Sequence, residues 1–409
     1  MTPVELRAAG QLGGQAFAGM VSRVEQVHRA VADRAFGRLH EADAPARAIH
    51  DAVSRGVYGA VRGVGALAGV VSGQVASLLG AGDRPAGQAA GGNLALAAVA
   101  ALNAIAGDQL SPDLAPLTIR MAARADGHDV GLVTDELAAA FPDATSRLAV
   151  FIHGLAETEI SWHRQAADHV PYGPMLHAGF GYTPVYLRYN TGKHVSDNGH
   201  DLAWLLDGLL AAWPEQVDDL LLVGHSMGGL VIRSACHYGS QAAAQWTERV
   251  RHIFYLGSPH LGAPLARAAG LAGWALGQAP ETRPFVTLVN GSSPGIKDLR
   301  HGYLLSDDWD GCDQDNCLRD HRGDVPLLAG AGHYTISATV TADPGSPLGV
   351  IVGDLFVRPT SAHGRRGYRQ HIPFSVESGH GLGGMHHFDL LNHPAVWTAM
   401  SGILRDVRQ

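Results

Sequence analysis

The stretch LLLVGHSMGGLVIRSA at residues 220–235 decides the fold of this chain. Its first four residues are apolar and typical of a buried strand, whereas the apolar residues from Met227 onward have helical spacing. Between strand and helix lies the pattern Gly-x-Ser-x-Gly, with Ser226 at its centre. A serine on so tight a turn has a strained backbone and needs small neighbours. The stretch therefore predicts a strand, a sharp turn with Ser226 at its tip, and a helix.

Strand-like and helix-like segments alternate on both sides of this stretch. Short apolar runs typical of buried strands lie at 148–152, 185–189, 220–223, 253–256 and 334–340. Helix-length segments separate most of them, including 197–213 and 227–238. Strands that alternate with helices predict a mainly parallel sheet that is covered by helices on both faces. The fold class predicted from the sequence is therefore α/β.

The rest of the chain has a different character. Residues 1–115 have helical spacing without alternating β-branched runs, which predicts an N-terminal helical region. Residues 116–409 then form the sheet-containing domain, and an insertion at about 259–328 is expected to lie above the strand ends as a cap. The stretches 63–82 and 85–107 are nearly free of charge. Because polar residues and Gly dilute them, packed helices are favoured over membrane spans, and peripheral membrane association is the alternative.

The composition excludes several classes of protein. The 409 residues contain 30 Lys and Arg against 38 Asp and Glu, without a long basic run, so nucleic acid is not expected as a partner. Three cysteines exclude a disulfide-dense scaffold, and a hydrophobic fraction of 46% excludes overall disorder. The first residues lack the basic and apolar regions of a secretory signal, which predicts a cytoplasmic or peripheral membrane location. The oligomeric state is left open.

The pattern Gly-x-Ser-x-Gly occurs a second time, at 291–295, and chemistry separates the two matches. A nucleophilic serine on such a turn uses the next backbone N–H to stabilise the oxyanion of a tetrahedral intermediate. Met227 follows Ser226 and has this N–H. The second match has Pro294 at that position, which has none, so Ser293 is excluded. The sequence predicts Ser226 as the nucleophile and the Met227 amide as one oxyanion donor.

A second oxyanion donor is expected from the loop after an earlier strand. The phrase FIHGL at 151–155 ends such a strand and makes the Leu155 amide the natural donor. Gly154 allows the backbone to approach a substrate carbonyl closely. His153, Gly154 and His225 are therefore candidate substrate-contacting residues, although a packed elbow residue is the favoured interpretation of His225.

The general base is expected on a loop after the last strand. His386 and His387 lie at such a place, after two glycines and before a terminal helix that begins near Pro394. The main competitors are His371, His380 and His393. The acid should lie between the serine and the histidine in the chain.

Asp354 is the leading candidate for the acid because it follows an apolar run, 348–353, that is typical of a strand. The alternatives are Asp298, Asp343 and Asp389. Asp389 is so close to His387 in sequence that a role in the local turn is favoured for it.

Several phrases together resemble a known group. They are FIHGL at 151–155, YTPVYLRYNTG at 182–192, LVGHSMGGLVIRSA at 222–235, LGSPHLGAPL at 256–265, GIKDLRHGYL at 295–304 and MHHFDLLNHPAVW at 385–397. In content and order they resemble the lipase and esterase branch of the α/β-hydrolases, including bacterial proteins similar to the GPI inositol-deacylases. The resemblance implies an α/β-hydrolase fold with an N-terminal helical region and an inserted cap.

The resemblance also implies a triad of Ser226, His387 and Asp354. His387 precedes a hydrophobic-Asp pair, as the family base does, and VGDLFVRPTSA at 352–362 looks like the family's acid loop. This chain departs from the family in that loop, where Leu355 replaces the usual Gly and Arg358 the usual Pro.

The implied activity is that of a serine carboxylic-ester hydrolase, which acts on an ester or lipid through an acyl-enzyme and requires no cofactor. The alternatives are an acyltransferase, thioesterase or amidase with the same triad, and a catalytically silent homologue that binds lipid. An acidic loop at 306–324 is rich in oxygen ligands but does not match the EF-hand pattern, so no metal is expected there. Cys312 and Cys317 are close enough in sequence to bridge in an oxidising compartment.

Overall fold

The structure is a computed structural model. It describes residues 118–263, 293–312, 321–366, 370–375 and 378–407, together with isolated residues between 96 and 104. The chain divides into two compact units, Met1–Ala101 and Leu102–Gln409, and the elements below belong to the second.

The strands, in chain order, are β1 (Ala122–Ala125), β2 (His128–Val130), β3 (Arg147–Ile152), β4 (Thr183–Arg188), β5 (Asp219–His225), β6 (Val250–Leu256), β7 (Gly332–Thr339), β8 (Arg365–Arg366), β9 (Gln370–His371) and β10 (Gly379–Gly383). The helices are α1 (Thr134–Ala140), α2 (Tyr172–Phe180), α3 (Val195–Ala212), α4 (Met227–Gln241), α5 (Pro294–His301), α6 (Ser306–Trp309), α7 (Pro347–Val352), α8 (Pro359–Ala362) and α9 (Pro394–Asp406). Short 3-10 helices span Glu159–His163, Gln245–Arg249 and His387–Leu391.

Eight of the described strands form one sheet in the order β10-β7-β6-β5-β3-β4-β1-β2. The strands from β10 to β4 in that order are parallel, and β1 and β2 add an antiparallel edge. The strands predicted at 148–152, 185–189, 220–223, 253–256 and 334–340 are all present, and the α/β fold class is confirmed. Parallel strands end at the same edge of a sheet, so the loops after β3, β5, β7 and β10 converge there.

The sheet separates two apolar cores, because successive side chains of a strand point to opposite faces. Val150 of β3 and Leu222 of β5 pack on one face with helices α3 and α4. Phe151 and Val223, their neighbours in sequence, pack on the other face with α2 and α9. Every residue of β5 is buried, as expected for a central strand covered on both sides.

Two local predictions change. The apolar run at 348–353, expected to be a strand, is mostly helix α7, because Pro347 begins the helix and the Ser346 side chain accepts a hydrogen bond from Gly349 N. The Gly-rich segment GHGLG is strand β10, which the sequence does not predict because glycine has no side chain to favour a strand. Its pairing with β7 holds it in the sheet.

Other predictions fall partly outside the described residues. Almost all of the N-terminal helical region, 1–115, lies there, so its boundary stays a prediction. The expected cap at 259–328 is described at 259–263, 293–312 and 321–328, where it contains α5 and α6 between β6 and β7. No helix among the described residues combines the length and apolar character needed to cross a bilayer.

Candidate active site

Ser226 lies at the tip of the turn between β5 and α4. Its φ of 51° and ψ of −119° place its backbone in a region that residues with side chains rarely adopt, and its N–H donates to Leu256 O at 2.8 Å. A Cβ at Gly228 would lie 2.2 Å from Ile152 O, and one at Gly224 would lie 2.6 Å from Gly229 N. Because α4 approaches β3 and β5 this closely, only glycine fits at both positions. The packing thus forces the chain into the turn that carries Ser226.

His387 and Asp354 form a buried hydrogen-bonded pair. His387 Nδ1 lies 2.7 Å from Asp354 Oδ2, and His387 N donates to the Asp354 carbonyl at 3.1 Å. Asp354 Oδ1 accepts from the amides of Phe356 at 2.9 Å and Val357 at 2.7 Å. Both carboxylate oxygens are therefore held, and the carboxylate fixes the imidazole so that Nδ1 carries a proton.

The loop that carries His387 lies against the turn that carries Ser226. The His387 carbonyl lies 3.2 Å from His225 Nε2, and the two imidazole rings are 4.7 Å apart. Gly257 follows the residue that accepts from Ser226 N, and a Cβ there would lie 3.2 Å from His387 Cε1. The fold therefore brings the serine, the histidine and the aspartate to the same end of the sheet.

The pKa of His387 lies above its usual value of 6.5. Burial lowers this pKa, but the charge of Asp354, the hydrogen bond to Asp354 and the charge of Glu157 together raise it by more than burial lowers it. An imidazolium formed when the histidine accepts a proton is thus stabilised in place.

Three of the competing histidines, His380, His386 and His393, lie elsewhere in the structure or make other contacts. His386 Nε2 pairs with Asp389 Oδ1 at 3.1 Å, and its side chain is 43% exposed. His393 Nδ1 accepts from Ala395 N and caps helix α9. His380 lies on β10, where it is paired in register with Ile336 of β7.

The competing carboxylates also serve local structure. Asp298 is fully buried and lies 3.0 Å from His194 Nδ1, and it accepts from Val195 N at 2.8 Å at the start of α3. Asp343 accepts from Gly345 N in a turn, and Asp389 accepts from His386 N. The expected role of Asp389 in the local turn is the one the structure gives it.

The two predicted oxyanion amides follow the ends of β3 and β5, which are neighbouring strands of the sheet. Leu155 follows the end of β3, and Met227 is the first residue of α4, where the helix dipole favours negative charge. Neither amide N–H has an acceptor among the described residues. A Cβ built on Gly154 would lie 3.0 Å from Ser226 Cβ, so the loop with HGL contacts the serine turn directly.

His153 and His225 are completely buried. The His153 ring stacks on Tyr189 at 4.4 Å, and its Nε2 accepts from Tyr189 N at 3.4 Å. Both histidines therefore pack behind the site, in agreement with the favoured interpretation of His225. Contact of either residue with a substrate stays a prediction.

The sequence does not predict a role for Glu157. Its Oε2 accepts from Gly154 N at 2.7 Å and lies 3.0 Å from His225 Nδ1. An acidic residue three positions after the glycine of the oxyanion loop is the signal that could have indicated it.

Leu355 is one of the two positions, with Arg358, at which the loop after Asp354 departs from the pattern that the resemblance implies, and the backbone of Leu355 is unusual. Its φ is +83°, a conformation that glycine adopts freely and other residues adopt at a cost of roughly 1–2 kcal/mol. We expect Leu355→Gly to raise the free energy of unfolding by about 1 kcal/mol, with unchanged kcat, in a denaturant titration. The matched control is Leu348→Gly in helix α7, which should lower stability by about 0.5–1 kcal/mol. A Leu355→Gly protein less stable than the wild type contradicts the strain argument.

The remaining sequence predictions concern metals and thiols. Among the described residues, no group of three or more His, Cys, Asp or Glu side chains could hold a metal ion. The acidic loop at 306–324 begins as helix α6, and Asp308 accepts from Leu304 N, Leu305 N and Gly323 N within it. Cys312 is a free thiol, and Cys317 lies outside the described residues.

Residues 204–310, which contain the serine turn, match the model of the PGAP1-like alpha/beta domain. This part of the chain is therefore similar to the α/β domain of PGAP1-like proteins. The matched segment is about a quarter of the chain and extends from helix α3 to just past α6. It includes Ser226 but neither His387 nor Asp354.

Several solved structures are similar to this chain at low sequence identity. The mature lipase BlEst2 of Bacillus licheniformis is 19% identical, with 63% of this chain and 91% of that chain covered and a TM-score of 0.41. The Staphylococcus hyicus lipase is 13% identical, with 64% of this chain and 96% of that chain covered and a TM-score of 0.38. A thermophilic esterase from Thermogutta terrifontis is 14% identical, with 65% of this chain and 92% of that chain covered and a TM-score of 0.35. Likenesses this distant carry no argument about activity, and no curated protein sequence matches the chain.

Proposed function

We propose that this protein belongs to the α/β-hydrolases and is a serine carboxylic-ester hydrolase. The observation that carries the proposal is the buried pair of His387 and Asp354, joined at 2.7 Å beside the strained turn of Ser226. A structural role alone does not require a strained serine, a glycine-lined turn and a buried His-Asp pair at one end of the sheet. An acyl-transfer reaction uses all three.

In the proposed reaction, Ser226 Oγ attacks the ester carbonyl while His387 Nε2 takes the hydroxyl proton. Asp354 keeps Nδ1 protonated and stabilises the imidazolium. The amides of Leu155 and Met227 donate to the oxyanion of the tetrahedral intermediate. His387 then gives its proton to the departing alcohol, which leaves an acyl-enzyme on Ser226. Water, deprotonated by His387, attacks this ester, and the tetrahedral intermediate then collapses to release the acid while His387 returns the proton to Ser226 Oγ.

The proposed substrate is a carboxylic ester, including lipid esters. The resemblance to GPI inositol-deacylases adds acylated inositol lipids to the substrates that should be tested. No step of the proposed reaction requires a metal or a cofactor. Peripheral association with a membrane remains a prediction from 63–82 and 85–107.

The test is hydrolysis of p-nitrophenyl esters with short, medium and long acyl chains, combined with labelling by a fluorophosphonate. We expect turnover and a label on Ser226, and the chain-length profile distinguishes an esterase from a lipase. Thioester and amide substrates, and an alcohol acceptor in place of water, test the alternative acyl-transfer activities. A protein that hydrolyses no ester and takes no label is a silent homologue, and this result refutes the proposal.

The pH dependence follows from the raised pKa of His387. The base works only when neutral, so kcat/KM should fall as the pH drops through that pKa, with the midpoint of the acid limb above 6.5. Initial rates with a short-chain p-nitrophenyl ester across the acid and neutral range measure the midpoint. A midpoint clearly below the usual histidine value contradicts the assignment of His387 as a base held by Asp354.

A further inference from the structure

We propose that Glu157 and His225 form a buried ion pair that positions two loops for catalysis. One is the loop of Gly154 and Leu155, called the oxyanion loop here, and the other is the loop of His387, called the base loop. Neither side chain belongs to the triad, and the role is one of positioning. The inference rests on the ester hydrolysis proposed above.

The pair connects three parts of the site. Glu157 Oε2 accepts from Gly154 N at 2.7 Å in the oxyanion loop and lies 3.0 Å from His225 Nδ1. On the other side of the ring, His225 Nε2 lies 3.2 Å from the carbonyl oxygen of His387. One continuous chain of contacts therefore runs from the oxyanion loop, through the residue before the nucleophile, to the backbone of the base.

The number of acceptors sets the charge of His225. A carboxylate oxygen and a carbonyl oxygen both accept, so both ring nitrogens of His225 must donate, which requires the imidazolium. Burial raises the pKa of Glu157, but the charge of His225 and the hydrogen bonds from His225 and Gly154 bring it below the usual value. Glu157 is accordingly ionised, and the two opposite charges are buried together.

The position of the pair explains why its balance matters. A single point, the Cβ that Gly154 lacks, lies 3.0 Å from Ser226 Cβ and 3.1 Å from Glu157 Oε2. The carboxylate is thus close to the place where negative charge develops on the substrate. In a buried site an unbalanced carboxylate there opposes the oxyanion, and the positive charge of His225 cancels it.

Two single variants and their combination separate charge from shape. In Glu157→Gln, His225 becomes neutral and has one N–H for two acceptors, the side-chain oxygen of residue 157 and the carbonyl of His387. One of the two hydrogen bonds is therefore lost, the loop that it held is no longer fixed, and kcat should fall by roughly tenfold to a hundredfold. In His225→Asn the carboxylate keeps a hydrogen-bond donor but loses its countercharge, so kcat should fall on the order of a hundredfold or more. In the double variant the unbalanced charge is gone, and kcat should recover by about tenfold over His225→Asn.

The matched control is Glu159→Gln. Glu159 is a buried carboxylate two residues further on, and it accepts from Arg188 Nε at 2.7 Å. This variant should lose stability without a change in the pH profile, because Glu159 does not contribute to the raised pKa of His387.

The pH profile of kcat/KM is the readout that a purely structural role does not move. The titratable groups against His387 in the described part of the chain are Asp354 from the acid loop, Glu157 from the oxyanion loop and His225 from β5. Because the charge of Glu157 raises the pKa of His387, His225→Asn, which leaves that charge unbalanced, should move the acid limb to higher pH, and the double variant should move it back. Circular dichroism and thermal melting of every variant verify folding.

The outcomes distinguish this inference from the proposed function. A wild type without ester hydrolysis or fluorophosphonate label refutes the function itself. An active wild type with an unchanged acid limb in His225→Asn, or a folded double variant no faster than His225→Asn, overturns the ion pair. If Glu157→Gln does not fold, the comparison of His225→Asn with the double variant still decides whether the charges of Glu157 and His225 balance each other.

Discussion

We expect replacement of Ser226 with alanine to lower kcat for the proposed ester hydrolysis by about 10⁵- to 10⁶-fold and to abolish labelling by a fluorophosphonate. Without the hydroxyl no acyl-enzyme forms, and only the oxyanion amides and substrate binding still act on the reaction. The fold should remain intact, because alanine keeps the Cβ and requires no larger space in the turn. Steady-state kinetics on p-nitrophenyl esters and mass spectrometry of the labelled protein measure both effects.

The matched control is Ser293→Ala, in the second Gly-x-Ser-x-Gly match. The Ser293 side chain accepts from Ile296 N and caps helix α5, so its loss should cost about 1 kcal/mol of stability. Its kcat should stay within about twofold of the wild type, since Pro294 offers no oxyanion donor. Activity that survives in Ser226→Ala, or disappears in Ser293→Ala, contradicts the assignment of the nucleophile.

We expect replacement of Asp354 with asparagine to lower kcat by about 10⁴-fold, with a much smaller change in KM. The amide cannot stabilise the imidazolium, and its NH₂ group can donate to His387 Nδ1, which favours the wrong tautomer. Both oxygens of Asp354 are engaged in hydrogen bonds, so asparagine also loses part of the loop's support. Kinetics and a denaturant titration of the same preparation separate the catalytic loss from the structural one.

Asp298→Asn is the comparison that decides between the two carboxylates. Asp298 is buried against His194 and Val195 N, where it holds α5 to the start of α3. Its replacement should cost roughly 1–3 kcal/mol of stability and leave kcat close to that of the wild type at a temperature where the protein is folded. Loss of activity in the folded Asp298 variant, with Asp354→Asn still active, reverses the assignment of the acid.

Patterns that are local in sequence predict the fold well. Residues 220–235 predict β5, the turn and α4, because strand and helix periodicity and the spacing of glycines are properties of neighbouring residues. Local pattern fails where two structures compete over a short run. The apolar run at 348–353 has strand-like composition, but the cap at Ser346 and the proline after it start a helix.

Strand β10 shows a different limit. Its sequence GHGLG has no strand preference, and only the parallel pairing with β7 makes it part of the sheet. Such pairing joins segments far apart in the chain, so no local pattern contains it. The loop that carries His387 begins just after this strand, and its place in the site depends on the pairing.

By itself the sequence predicted the strand-turn-helix around Ser226 and excluded Ser293, since both follow from neighbouring residues and elementary chemistry. The expected order of nucleophile, acid and base came from the resemblance to a known family. Only the tertiary structure placed Asp354 rather than Asp298 against His387, and only it placed Glu157 against His225. The physical reason is that a hydrogen bond depends on distances of about 3 Å between side chains that can be many residues apart in the chain. Those distances exist only once the sheet has brought the loops to one edge.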